Sequence, residues 1–205
     1  NTITAGIERH RTAIDRNHLS QPMQVLARHG YLDGDWSILD YGCGKGDDLR
    51  ELEAHGIDAS GWDPAHNPEG ALVNSDVVNL GFVLNVIEER SERDETLRRA
   101  WEYADKLMVV SVMVAGESTI NQFQQYKDGV ITSRNTFQRY YSQGEFRYYI
   151  ESTLEENAIA AGQGIFIIFK DKLEEQNFLV ERQHVKRDWR QKTQRQITER
   201  QPALK

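Results

Sequence analysis

Asp40-Tyr41-Gly42-Cys43-Gly44-Lys45-Gly46 has the residue types and spacing of a ligand-binding turn. An apolar run, Ser37-Ile38-Leu39, leads into it, and a polar run from Asp47 to His55 leads out. Glycines let a backbone turn tightly and approach a ligand closely. The pattern is Gly-x-Gly-x-Gly, not the Gly-x-Gly-x-x-Gly that seats a pyrophosphate on a helix N-terminus. An acid at the strand end, Asp40, suits a cationic group, met directly or through water. Asp63 closes the next apolar run, about 20 residues on, where an acid takes ribose hydroxyls. A carboxylate can accept two such hydrogen bonds side by side. Trp62 and Pro64 flank it and can wall an adenosine. A ligand with an ammonium, a ribose and no pyrophosphate is S-adenosylmethionine (SAM), or its demethylated product S-adenosylhomocysteine (SAH). On this reading Asp40, Tyr41, Gly42, Cys43, Gly44, Gly46, Trp62 and Asp63 form a cofactor site, joined by Asn79 and Leu80 from the next buried strand. The alternative is an ordinary tight turn with a solvated Asp63.

The strand from Asp76 to Phe82 and its exit through Glu88 are where a SAM-binding sheet presents the transferable methyl. Methyl transfer needs alignment and, for some acceptors, a base. Asn79, Asn85 and Glu88 are the nearest polar candidates, and no catalytic residue is singled out. Asn85 and Glu88 can equally cap the following segment. The Asp/Asn-Pro-Pro-aromatic device for exocyclic amines is absent, and so is the Pro-Cys of cytosine-C5 enzymes. The segment from Asp128 to Tyr141 gathers hydroxyls, an amide, two arginines and three aromatics. Asp128, Thr136 and Gln138, with Asn85, are therefore candidate substrate contacts. The competing reading is an amphipathic helix with Phe137, Tyr140 and Tyr141 turned inward.

The elements that must position these residues follow from periodicity. Residues 7–29 read as a helical arm in which Pro22 suits a first turn, with Ser20 or Gln21 near the N-cap and Gly30 as the stop. Strands are expected at 37–41, 57–62, 76–82 and 107–114, and helices at 47–55, 91–105 (capped by Ser91) and 136–154. Residues 116–134 read as irregular. Ala158 to Ala161 and Ile165 to Phe169, joined by Gly162-Gln163-Gly164, read as an antiparallel hairpin. Strands alternating with helices predict an α/β fold with a mostly parallel sheet. Only twelve residues separate Asp63 from Asp76, among them Pro64, Pro68 and Gly70. That is too few for a helical crossover, so one edge strand is expected to be trimmed. The organisation expected is an arm over 1–30, a SAM-binding domain over 31–171, and a polar tail over 172–205.

Composition excludes several classes. No apolar run approaches the roughly 20 residues of a membrane span. The start, Asn1-Thr2-Ile3-Thr4, has no positive n-region of a secretion signal. Cys43 is the one cysteine, so no internal disulfide and no thiol-rich metal site can form, and a reducing cytoplasm fits. The histidines show no metal-ligand pairing. Net charge is −7, but from Glu181 onward eight basic residues face three acidic ones. That local excess of +5 leaves −12 for the rest of the chain. The run from Arg182 to Arg200 either tracks a phosphate backbone or is a solvated helix or linker.

These residues resemble the methyltransferases associated with DNA phosphorothioation gene clusters in bacteria. The resemblance runs through Arg11-Thr12-Ala13-Ile14 with Arg16, Leu19-Ser20 and Pro22; Leu39 to Asp48; Gly61-Trp62-Asp63-Pro64; Asp76 to Glu88; Asp128-Gly129 with Thr136-Phe137-Gln138; and Gly164-Ile165-Phe166. The glycine loop is common to all such enzymes, whereas Val-Leu-Asn-Val-Ile-Glu and Thr-Phe-Gln are more particular. The resemblance implies a Rossmann-like class I SAM-dependent methyltransferase. It implies a setting in phage defence or nucleic-acid modification, with defence-cluster proteins as partners. It assigns no acceptor. It also implies a further C-terminal region, with this chain ending inside a helical connection.

Three functions compete at this stage: a methyltransferase acting on a nucleic acid, which leads; one acting on a small metabolite; and a SAM-binding module that transfers nothing. The arm also adds Arg11 and Arg16 to the expected cofactor site, because a chain entering there can fold back over the glycine loop and arginine pairs two-pronged with a carboxylate. Replacing both by alanine should weaken SAH binding while the melting temperature without ligand holds. Unchanged affinity would make the arm structural.

Overall fold

The computed structural model describes residues 16–184, and of Arg16 only the backbone. The chain divides into two compact units, residues 1–170 and 171–205. In the first, a 3-10 turn (Arg16–His18) precedes helix α1 (Gln21–Arg28). Strand β1 (Ile38–Tyr41), helix α2 (Asp47–Ala54), strand β2 (Ala59–Trp62) and strand β3 (Ser75–Gly81) follow. A second 3-10 turn (Leu84–Val86) leads to helix α3 (Arg90–Glu102) and strand β4 (Ala104–Ser111). A short helix α4 (Glu117–Ile120) and three short strands, β5 (Gln124–Tyr126), β6 (Gly129–Ile131) and β7 (Phe137–Gln138), come next. Helix α5 (Gln143–Leu154) and the hairpin β8 (Ile159–Gly162) and β9 (Ile165–Phe169) close the unit. In the second unit, residues 172–184 are helical.

The main sheet has the order β2-β1-β3-β4-β9-β8. The first four strands are parallel, and β9 and β8 are antiparallel. This is the expected α/β architecture with its terminal hairpin. β9 and the Leu107–Val110 run of β4 are wholly apolar and buried because helices cover both sheet faces. Leu39, Tyr41, Val78, Leu80, Met108, Val110, Phe166 and Ile168 meet Leu97 and Ala100 of α3 and Phe146 and Ile150 of α5. Their alternate neighbours turn to the other face, where α1 packs on β3 and β4. The chain leaves β1 for β2 on one side and returns to β3 on the other. The C-terminal ends of β1 and β3 therefore flank a topological switch point, where open α/β sheets bind ligands.

The crossover from β2 to β3 contains no helix. Asp63 and Asn67 form a tight bridge instead, and the Asn67 amide donates to Gly61 O at 2.9 Å. The sheet edge is trimmed, as the spacing predicts.

Three expectations need correcting. The helix expected over 136–154 begins only at Gln143. Ser142 and Glu145 form a capping box there, each side chain bonding the other's backbone N–H. That local start overrides the aromatic periodicity upstream, and Phe137–Gln138 pairs as β7. The stretch read as irregular, 116–134, holds α4, β5 and β6, and with β7 these strands make a separate antiparallel sheet, β5-β6-β7. Helix α3 starts at Arg90 with Glu89 as N-cap and no side-chain cap bond, so Ser91 lies inside it.

An ion pair with a buried guanidinium ties the small sheet to the core. Arg93 is buried, and its guanidinium donates to both Asp128 oxygens, at 2.7 and 3.1 Å. It also donates to Ile87 O at 2.8 and 3.2 Å. The guanidinium beside Asp128 holds that carboxyl below its ordinary range. Removing one partner leaves a buried charge short of acceptors. Asp128 is partly open to water, which softens the loss. Asp128→Ala should therefore cost about 2–3 kcal/mol in urea unfolding, and an unchanged midpoint would show the pair to be dispensable.

Candidate functional site

Asp40 and Asn79 stand opposite each other in the register of β1 and β3. Each is nearly at its strand's end, and each is almost wholly buried. The Asn79 amide donates to Asp40 Oδ1 at 3.0 Å. Among the described residues Asn79 Oδ1 has no hydrogen-bond partner. The pair thus presents the Asp40 carboxylate and, beside it, an amide oxygen without a donor. Such a buried set matches a group rich in N–H donors, above all an ammonium. Burial pushes the Asp40 carboxyl up to about 7, and the charges of Asp48 and Asp63 push the same way against the Asn79 bond.

The glycine loop lies over this pair. Gly42 sits at φ +90, and a Cβ there would meet a Val83 methyl at 2.4 Å. Gly46, at φ 82, is the N-cap of α2. The loop is strapped to the end of β2: Gly42 N and Cys43 N donate to Trp62 O at 2.7 and 3.0 Å, and Gly44 N to Asp63 Oδ2 at 2.9 Å. Asp63 Oδ1 also accepts from Ala65 N and His66 N, each at 2.9 Å. Burial works upward on this carboxyl, but the N–H groups of His66, Ala65 and Gly44 outweigh it and hold it below its ordinary range. Three of its roughly four acceptor positions are filled. It has room for one ribose hydroxyl rather than the side-by-side pair expected.

Two hollows meet at this loop. The first, about 480 Å³, is walled by Asp40, Asn79 and the loop on one side, and by His18, Leu19, Ser20 and Pro22 on the other. The second, about 680 Å³, lies beyond Asp63 between Trp62, Val83, Val86 and Ile87, with Thr96 and Arg99 of α3 behind. Tyr41 borders it too, its ring centroid 5.1 Å from that of Trp62. Gly42, Gly44, Gly81 and Phe82 line both. Phe82 holds a left-handed backbone, φ 57, and its N–H donates to Ser111 O at 2.9 Å. Strained non-glycine residues of this kind collect at functional sites. The hollow beside the Asp40–Asn79 pair suits the amino-acid end of SAM, and the one between Trp62, Val83, Val86 and Ile87 its adenine.

A family described as a methyltransferase domain matches residues 9–148. The chain belongs to that methyltransferase family. Solved methyltransferases share its fold. The 1,6-didemethyltoxoflavin-N1-methyltransferase of Burkholderia thailandensis, solved with SAH, is 14% identical with a TM-score of 0.50, covering 72% of this chain and 74% of that one. The magnesium protoporphyrin IX methyltransferase of Synechocystis, also with SAH, is 14% identical with a TM-score of 0.50, covering 73% and 83%. A sugar N-methyltransferase of Streptoalloteichus is 12% identical with a TM-score of 0.50, covering 77% and 87%. No curated protein matches the chain.

Not every expected residue of the methyltransferase site is gathered. Asp40, Gly42, Cys43, Gly44 and Asn79 meet at the first hollow, and Tyr41, Trp62 and Asp63 at the second. Leu80 is wholly buried in the core and lines neither, because it points away from Asn79 on the same strand. Arg11 and the side chain of Arg16 lie outside the described residues. Asn85 is buried and lines neither hollow; its backbone O accepts from Arg139 N at 2.7 Å. Glu88 is exposed 4.0 Å from Lys127, and neither it nor Asn85 caps α3. Asp128 is held by Arg93, and Thr136 by Thr132 at 2.8 Å across a turn. Gln138 lines a third cleft, about 330 Å³, in the small sheet, which shares no residue with the other two. Sequence reasoning missed Phe82, Val83 and the wall from His18 to Pro22. In the sequence Ser20 reads as a helix cap and as one of the residues that carry the resemblance, not as a site residue.

An ammonium partner needs Asp40 ionised. SAH affinity should therefore fall as pH drops through about 7 and level off above it. The fold should show the opposite sign. A raised folded pKa means that ionising Asp40 disfavours the native state, so the unliganded protein loses stability as pH rises from the ordinary carboxylate range through about 7. Asp40→Asn should flatten both profiles, and a pH dependence that survives it would assign the titration elsewhere.

Proposed function

We propose that this methyltransferase uses SAM and delivers its methyl group to a small acceptor that enters where the two hollows meet, beside Phe82. The Asp40–Asn79 pair carries the reading, since a buried carboxylate beside an amide oxygen without a donor is costly unless a cation completes them. SAM, when bound, supplies a methyl group on a sulfonium, open to a nucleophile aligned behind it. The residues of this chain do the holding. Asp40 and Asn79 take the ammonium, Asp63 a ribose hydroxyl, and Trp62, Val83, Val86 and Ile87 enclose the adenine. Phe82 and Gly81 border the transfer point. Orientation of this kind can supply most of the rate in a displacement that needs no activated cofactor beyond the sulfonium.

A small acceptor is favoured by charge and supported by kinship of fold. The chain outside residues 181–205 carries −12, which repels a polyanion. The similar folds act, by their names, on 1,6-didemethyltoxoflavin, magnesium protoporphyrin IX and a sugar. A nucleic-acid acceptor in a phosphorothioation or defence setting is the second reading. One observation favours it: the basic run from Arg182 to Lys205. All of that run beyond residue 184 lies outside the described residues.

Calorimetry should give saturable heat with SAH, and Asp63→Ala should weaken it by about 1–3 kcal/mol. Heats equal to those of buffer would reject the cofactor. Methyl-labelled SAM incubated with the chain and a cell extract should leave the label in acid-soluble small molecules. Label in acid-precipitable material that nuclease releases would transfer the conclusion to the nucleic-acid reading.

A further inference from the structure

Ser20 is the N-cap residue of α1, yet its side chain makes no bond to that helix. An N-cap serine ordinarily accepts from an N–H of the first turn. Here it is turned to Asp48 instead. Ser20 N donates to Asp48 Oδ1 at 2.9 Å, and Ser20 Oγ donates to Asp48 Oδ2 at 2.6 Å. Both oxygens of one carboxylate hold one residue, across 28 positions of sequence. Asp48 is the second residue of α2, the helix that starts on the glycine loop. The segment it holds is packed on its other side: Leu19 is buried, and its C=O accepts from the Gln24 amide at 2.8 Å. That segment lines the first hollow together with Asp40 and Asn79, and it forms no part of the second. Asp48 borders the first hollow too, so Ser20→Ala, which leaves the Asp48 charge in place, is the variant that isolates the latch.

We propose that Asp48 is a positioning residue that acts through Ser20 to hold the arm as the far wall of the amino-acid end of the site, so that SAM's methionine portion depends on this latch and its nucleoside portion does not. The inference rests on the SAM reading above. Without the latch the first hollow loses one side, while the adenosine side keeps Trp62, Asp63 and the walls from β3 and α3. Ligands that differ only in the amino-acid end should therefore separate the two. The local capping that Ser20 forgoes is consistent with a task at Asp48 that outweighs it.

The test measures binding of SAH and of adenosine to the full chain in four forms: wild type, Ser20→Ala, Asp48→Asn and Ser20→Thr. Loss of a hydrogen bond to a charged group is worth about an order of magnitude in affinity. SAH should bind roughly tenfold more weakly to Ser20→Ala and Asp48→Asn, with adenosine unchanged within about twofold. Ser20→Thr keeps the hydroxyl and should restore SAH. Adenosine binding doubles as the check that each variant is folded, and two different substitutions guard against one that is not. SAH and adenosine weakening together, SAH unchanged in both variants, or no rescue by threonine would overturn the positioning role. Wild-type protein that binds neither ligand would instead overturn the SAM reading, and this proposal with it.

Discussion

A carboxylate and an amide buried side by side at the ends of two parallel strands are the constraint around which this molecule is arranged. Burying Asp40 is unfavourable, as the rise of its carboxyl to about 7 records. One hydrogen bond from Asn79 offsets part of that cost, and only because β1 and β3 run in strict register. A one-residue slip of either strand would swing its side chain to the opposite face. The apolar contacts of Val77, Val78, Met108 and Phe166 thus do more than stabilise the sheet. They fix the register that keeps two acceptors together where a cation can reach them.

The loop, the arm and the exit of β3 are then three ways of closing the space around that pair. Gly42 admits the loop close to Val83, and Trp62 O and Asp63 tether it from the neighbouring strand. Phe82 accepts a strained backbone where the two hollows join. The tethering has a cost in ligand contacts: Asp63 spends most of its hydrogen-bonding capacity on the protein. That carboxylate is first a structural clamp, with about one acceptor position left for a ligand.

What could be read from the sequence is what depends on neighbours along the chain. The glycine loop, the acid after β2, the buried strands, the hairpin and the missing crossover all follow from local residue order. The Asp40–Asn79 contact was within reach only as two entries in a site, since its register is set by the sheet. The small sheet escaped because its strands are two or three residues long and rest on Arg93 reaching Asp128, 35 positions away. The start of α5 is different. Ser142 and Glu145 spell a capping box, whereas the helix expected from Thr136 rests on the aromatic spacing before it. Ser20 shows the limit most clearly: a residue type with an obvious local role is engaged over a distance no local pattern reveals.

The trimmed crossover also shapes how the molecule can meet its own copies. Losing an outer strand exposes β2, and an unpaired strand edge is a template for self-association. Here that edge is four residues long, and the turn that follows it folds back to bond Gly61 through Asn67. The opposite edge, β8, is equally short and carries a register shift between Ala160 and Gly162. Neither offers the long flat row of free backbone groups on which fibrous stacking depends, so the sheet can be smaller without becoming adhesive.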